Sequence, residues 1–254
     1  MSNIFGTFVY EPLYNILILL YHYLWNDLGL AIVALTLIIK FLMLSMSKRQ
    51  IKSQKEIQKI QPLLKELQEK YKDNREELGR KTLELYKEHN INPAAGCLPL
   101  IVQMIVFITL YRMFINLLVN DNSVVNKDLL YSITPHIDKV NDITLGFLNL
   151  AEPSYVLAII TAAAQYYQMK MMQKINEDKA KESGKKPKTL KEIAESGKKP
   201  SMQDFSTIMS KQMTIFVPVM TLIIGFTFPA GLALYWFVST IFSIVQQWFV
   251  LKEK

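Results

Sequence analysis

The chain has 254 residues, half of them hydrophobic, with 29 Lys and Arg against 22 Asp and Glu and a net charge of +7. Cys97 is the only cysteine, which excludes an intrachain disulfide and a cysteine-built metal cluster, and His22, His89 and His136 show no ligand spacing. The apolar residues are gathered into long blocks separated by dense charge, which excludes an ordinary water-soluble domain and describes an all-α polytopic membrane protein.

Residues 1–27 form the first element, with the run VYEPLYNILILLYHYLW and no Lys or Arg. A basic start and a small-residue cleavage site, the marks of a signal peptide, are both missing. The apolar run from Leu13 to Leu24 is short for a span and is interrupted by Asn15 and His22. It reads as an amphipathic helix lying on the outer membrane surface.

The first span is 28–46, LGLAIVALTLIIKFLMLSM, with Lys40 inside it. A charge at the centre of a membrane helix costs roughly 2.5–3.5 kcal/mol, so it needs a wet or paired setting. The alternative is snorkelling toward the polar cluster Ser47-Lys48-Arg49. Thr36 and Lys40 are one helical turn apart and share a face.

Residues 47–93 follow as a charged cytoplasmic helical hairpin. Ile57, Ile60, Leu64, Leu67 and Tyr71 recur at helical spacing, then Leu78, Leu85 and Tyr86 resume after Lys72-Asp73-Asn74. Its charge pattern fits a solvated spacer or a docking site. The second span, 94–118, carries Gln103, and Arg112 near its outer end can reach external headgroups. A polar external loop, 119–152, leads to the third span, 153–172, where Thr161, Gln165 and Gln168 fall on one face.

Residues 173–212 are rich in Lys, Gly, Ser and Pro and contain a duplication, Glu182 to Pro187 returning as Glu195 to Pro200. That composition predicts a flexible basic linker. The fourth and fifth spans are 213–229 and 231–250, and 251–254 is a short tail. Trp236, Ser239, Ser243 and Gln246 line one face of the fifth span, with Thr240 and Gln247 alongside.

Charge sets the orientation. Segments 47–93, 170–212 and 251–254 hold 25 of the 29 basic residues, whereas 119–152 holds only Lys127 and Lys139. Basic loops stay cytoplasmic, so the N-terminus lies outside and the C-terminus inside, in agreement with five spans. With that orientation Lys40, Gln103, Gln165, Gln168, Ser243 and Gln246 sit at mid-depth or in the cytoplasmic half. Polar stripes on several helices must face each other or water. They describe a hydrophilic groove open to the cytoplasm and closed outside, or, more blandly, interhelical hydrogen bonds that hold a bundle together. No nucleophile, nucleotide-binding or metal motif is present, so nothing supports covalent chemistry or a cofactor.

Three stretches carry a specific resemblance. Asn92-Pro-Ala-Ala-Gly-Cys-Leu-Pro-Leu-Ile-Val-Gln-Met104, Phe228-Pro-Ala-Gly-Leu-Ala-Leu-Tyr-Trp236 with Gln246-Gln247, and Trp25-Asn-Asp-Leu-Gly-Leu with the LTLIIK element resemble YidC/Oxa/Alb-type membrane protein insertases. The resemblance runs from about residue 9 almost to the end. It implies five core spans, an external amphipathic helix, a cytoplasmic hairpin and a groove carrying one essential cation, usually arginine. Lys40 stands at that position, keeping the charge without the bidentate fork. Thr36 and Trp236 fall where groove-wall residues contact the passing segment.

The implied function is insertion of client membrane proteins, without an enzymatic active site, in a bacterial cytoplasmic membrane. Nascent membrane proteins and lipid are the implied partners. Action alone or beside the Sec translocon, the signal recognition pathway and the ribosome stays open, and DNA is not a partner. From the residues alone, a small transporter, a passive assembly scaffold and, last, an intramembrane enzyme remain as rivals. A transporter would want two related halves, and none is visible.

Overall fold

A computed structural model describes residues 6–72, 74–92, 98–120, 123–182 and 202–252. The centre of the 92–104 motif with Cys97, most of the duplicated linker, and residues 253–254 lie outside the described residues. The chain divides into two compact units, Met1–Lys40 with Thr109–Lys254, and Phe41–Ile108.

In the first unit a wide π-type turn, Gly6–Tyr10, leads into α1 (Glu11–Tyr23), which has a proline in its first turn. Its buried side chains, Tyr14, Leu17, Ile18 and Tyr21, recur at i, i+3, i+4 and i+7 and are at most 4% exposed. After α1, Trp25 and Asn26 both take positive φ and reverse the chain. Asp27 then caps α2 (Leu28–Leu42), accepting from the Leu30 N–H at 3.0 Å.

Residues 123–151 form an ordered cap with little regular structure. A two-stranded hairpin, β1 (Ile143–Thr144) and β2 (Leu148–Asn149), is the most regular part. The cap grips α1 through polar side chains. Buried Asn15 donates to the Leu129 carbonyl at 2.7 Å, and its carbonyl accepts from the Tyr131 N–H and the Thr134 hydroxyl, both at 2.7 Å. The Tyr14 and Tyr21 hydroxyls accept from the Asn126 and Asn141 N–H groups. Asn15, read from sequence as a polar interruption on a surface-lying helix, is therefore the main fastening of the cap. The polarity on α1 serves the protein's own loop.

The remaining helices of this unit are α7 (Tyr155–Glu182), α8 (Met202–Thr227) and α9 (Ala230–Lys252). α7 packs against both α8 and α9. Gly225 on α8 allows the first of these contacts to be close, since a Cβ there would stand 2.6 Å from that of Ala158. α9 starts under the cap, where the Ala230 and Gly231 N–H groups donate to the Glu152 and Leu150 carbonyls. Outward faces are apolar: Val156 is 69% exposed and Ile215 64%. Water would penalise such surfaces, and lipid accepts them.

The second unit contains α3 (Leu44–Lys59), α4 (Gln61–Lys70), α5 (Arg75–Glu88) and the start of α6 (Leu98–Phe114). Ile60, Leu85 and Ile91 form a small core, with Ile57, Leu64, Leu67 and Tyr86 against it. Pro62 opens α4 and separates it from α3, and Asn74 caps α5 by accepting from the Glu77 N–H at 3.1 Å.

Among the described residues, Leu100–Asn120 and Ala230–Phe249 are each long and apolar enough to cross a membrane. Leu28–Leu42 reaches that length only when taken together with Leu44–Gln50, from which a 52° bend separates it, and Gln212–Thr227 is a shorter apolar helix. In α7 the polar residues Gln165, Gln168 and Lys170 interrupt the apolar half. The molecule is a predominantly helical membrane protein.

Candidate functional site

Lys40 lies twelve residues into α2, about 18 Å along the helix from Leu28. Its own helix presents two unlike faces. Ile32, Leu35, Thr36 and Ile39 are buried, whereas Ile38, Phe41 and Leu42 are exposed. Lys40 is half-buried at the edge of the packed face. Its ammonium donates to the Ser243 hydroxyl on α9 at 3.4 Å, a contact between residues 203 apart in sequence. The cation that sequence places inside a span thus points toward the polar stripe of the last helix.

The hydroxyls of these helices share one arrangement. Ser243 donates to the Ser239 carbonyl at 2.8 Å, Thr36 to Ile32 at 2.6 Å, Thr161 to Leu157 at 2.7 Å and Thr240 to Trp236 at 2.8 Å. Each hydroxyl proton is therefore engaged by the preceding turn of its own helix, and what each oxygen has left is acceptor capacity. Lys40 supplies donors and positive charge at one of them, Ser243. The segments 28–46, 155–169 and 230–250 contain no Asp or Glu, so no built-in carboxylate on these stretches competes for Lys40.

Thr161 and Trp236 come together at a crevice of about 10 Å³ that Thr221, Gly225 and Ala158 also line. That is room for roughly one water molecule, and the lining is almost wholly apolar. Gln165, only 6% exposed, is hydrogen-bonded through its side-chain oxygen to the Thr221 hydroxyl of α8. Gln165 thus joins two helices, the blander of the two roles its stripe allows. Thr221 was not visible as its partner from sequence, because a single threonine in an apolar helix carries no periodic signal. Ser239 is buried, and Gln168 is half-buried one turn beyond Gln165. Gln103 is half-buried on α6 in the other unit.

Near the end of α9, the Gln246 Nε2 and Gln247 Oε1 atoms are buried with no hydrogen-bond partner among the described residues. A donor and an acceptor on adjacent residues leave unspent hydrogen-bonding capacity one turn past Ser243, on the helix that carries the partner of Lys40.

Replacing Thr221 with valine is expected to destabilise the protein by about 1–3 kcal/mol, because it strands the buried Gln165 amide. Pairing it with Gln165→Leu should recover part of that loss, with a coupling of about 1 kcal/mol by thermal unfolding in detergent. Simple additivity of the two changes would make the contact energetically idle.

Residues 19–254 match the family described as 60Kd inner membrane protein. Among curated relatives, a membrane protein insertase YidC of Geotalea daltonii is 32% identical over 98% of this chain and 38% of its own length. A protein of the same name from Oleidesulfovibrio alaskensis is 29% identical over 97% of this chain and 39% of its own length. A third, from Fusobacterium nucleatum, is 29% identical over 90% of this chain and 88% of its own length. The chain thus spans about two fifths of the first two relatives and nearly all of the third.

Proposed function

Because the chain belongs to the 60Kd inner membrane protein family, of YidC/Oxa/Alb type, we propose that it is a membrane protein insertase. It moves short polar tails of nascent membrane proteins across the bilayer and releases their apolar segments into lipid. The observation that carries this reading is the Lys40 ammonium held at the Ser243 hydroxyl between two apolar helices.

The proposed arrangement has five spans, with α1 and the 123–151 cap outside, the 47–93 hairpin in the cytoplasm, and the basic segments inside as the distribution of Lys and Arg requires. Lys40 then lies past the bilayer midplane on the cytoplasmic side. A polar tail entering there meets a cation and a row of acceptor oxygens in place of hydrocarbon. Hydrogen bonding and charge offset part of the several kcal/mol that each bare polar group would otherwise cost in lipid. Half-buried Ser243 and Trp236 form the wall along which the tail moves, with buried Thr36 and Ser239 behind it. Gln246 and Gln168 extend it toward the cytoplasm.

An acidic residue on the tail is drawn to Lys40 and held weakly, since a lysine offers a point charge without a fork. Weak holding favours release. The driving force is transfer of the client's apolar segment from water into lipid, at roughly 25 cal/mol per Å² of apolar surface. No step forms or breaks a covalent bond. Nascent membrane proteins and lipid are the partners that this mechanism requires.

The test is reconstitution of the purified full chain in liposomes with a freshly synthesised single-span client bearing a short acidic tail. The tail should become protected from added protease in proportion to the amount of reconstituted protein. Protection no greater than in empty liposomes, with folded protein present, would overturn autonomous insertion. Saturable uptake of a small polar solute instead would identify a transporter.

A further inference from the structure

We propose that the tip of the 143–149 hairpin and the Trp25 turn form a lipid anchor that seats the external cap on the headgroup layer of the bilayer. The proposal rests on α2 crossing the membrane, and is otherwise independent of what the groove does.

Two separate loops carry bulky apolar side chains where the backbone least favours them. Trp25, at φ 54°, is 84% exposed, and Leu145, at φ 52°, is 64% exposed. Leu145 and Gly146 are the central residues of a turn closed by the Phe147 N–H on the Thr144 carbonyl, within a three-residue loop between Thr144 and Leu148; both φ values are positive, for which Asn-Gly is the residue pair the backbone prefers. A leucine here works against local backbone preference, and its side chain makes no compensating burial within the protein. Phe147 beside it is 79% exposed. The hairpin is built inside out for a water-facing turn: buried Thr144 turns its hydroxyl onto Asp27, while Leu145 and Phe147 point outward.

Asp27 fixes the level of both loops. Its carboxylate accepts from the Thr144 hydroxyl and from the Leu145 N–H at 2.9 Å, and it also caps α2 through Leu30. The tip is therefore fastened one residue before α2 begins at Leu28, and no charge follows until Lys40. That is the height at which the chain enters hydrocarbon, where Trp and other large apolar side chains partition favourably. Residues 143–151 contain no charged side chain, so the occupant is the apolar–headgroup boundary itself and needs no anionic lipid.

The test uses the full chain with Cys97→Ser, carrying Phe147→Cys, Leu145→Cys or, as a polar external reference, Asp128→Cys. Each is labelled with an environment-sensitive fluorophore and reconstituted in phosphatidylcholine vesicles. Labels at 145 and 147 should be quenched severalfold more than the label at 128 by lipids with a nitroxide high on the acyl chain, and severalfold less by aqueous iodide.

Equal iodide quenching at 147 and 128 would overturn the anchor. Shielding from iodide without quenching by lipid would also overturn it and assign the tip to a second copy or another protein. A label at Ile38→Cys on α2 separates the premise from the proposal. Lack of deep-lipid quenching there would overturn the spanning of α2 and the anchor with it. Deep quenching at 38 with free iodide access at 147 would overturn the anchor alone. Adding Leu145→Asn should roughly halve shallow-lipid quenching at 147 while the cap stays protease-resistant. Loss of that resistance would make Leu145 a packing residue and overturn its role as an anchor.

Discussion

Lys40→Ala is expected to reduce insertion of an acidic-tailed client about tenfold, Lys40→Glu to reduce it further, and Lys40→Arg to leave it within about twofold. A carboxylate 4 Å from an ammonium gains about 4 kcal/mol at an effective dielectric constant of 20 and about 1 kcal/mol in water. A partly wet groove lies between those limits, and a difference near 1.4 kcal/mol is already tenfold. Alanine removes the attraction, and glutamate turns it into repulsion while adding a charge opposite residues 230–250, which hold no Lys or Arg. Arginine keeps the charge, and its weaker hydration suits a partly apolar site. Ser243→Ala is the milder companion, since Lys40 loses one neutral acceptor at 3.4 Å and the charge stays. The measurement is protease protection per reconstituted molecule, with each variant's folding checked by its melting transition. Equal protection from all three Lys40 variants would remove the residue from the mechanism. A client whose tail lacks acidic residues should respond much less to Lys40→Ala, because the Coulombic attraction is absent from the start.

How far the site was legible depended on whether its residues make a pattern or a single contact. Lys40 stands out because charge within an apolar run is costly wherever it occurs, and Thr36 follows from it by helical spacing. The stripes on α7 and α9 were legible for the same reason of periodicity. Their use was not. Gln165 and Gln168 look equivalent in sequence, yet Gln165 is taken up by Thr221, a residue on another helix that periodicity within α7 cannot reveal. The 123–151 cap was the least legible part. Its 29 residues from 123 to 151 have almost no regular structure, and they are ordered by Asn15, Tyr14, Tyr21 and Asp27, each acting through contacts more than a hundred residues away. Sequence marks such residues only as polar interruptions in an amphipathic helix and its exit. Hydrophobic periodicity reports faces, and long-range polar fastenings leave no period.

Asp27→Ala is expected to destabilise the cap by about 2–3 kcal/mol, on the scale of lost hydrogen bonds to a charged group together with a lost helix cap. It leaves the Leu30 and Leu145 N–H groups and the Thr144 hydroxyl without their acceptor. Gly29 makes the junction intolerant of rearrangement, because a Cβ there would already stand 2.6 Å from that of Thr144. Partial burial pushes the Asp27 carboxyl up, but the bonds from Leu145, Thr144, Leu30 and Gly29 together outweigh it and hold its pKa below the usual 3.8. The ionised form is therefore the one that folding favours. Its contribution is fully present above pH 3.8 and is lost as pH falls through the lower folded value. In reconstituted vesicles, external protease should cut the 123–151 segment of Asp27→Ala much faster than that of the wild type at neutral pH. The gap between the two should narrow toward that of Asp27→Asn on acidification below about pH 4, as the wild-type latch is protonated and keeps only a neutral acceptor oxygen. Asp27→Asn, which keeps an acceptor oxygen and loses the charge, should fall between them at neutral pH and show no such narrowing. A cleavage gap that stays constant down to pH 3 would show that Asp27 holds the cap by packing and not through its charge.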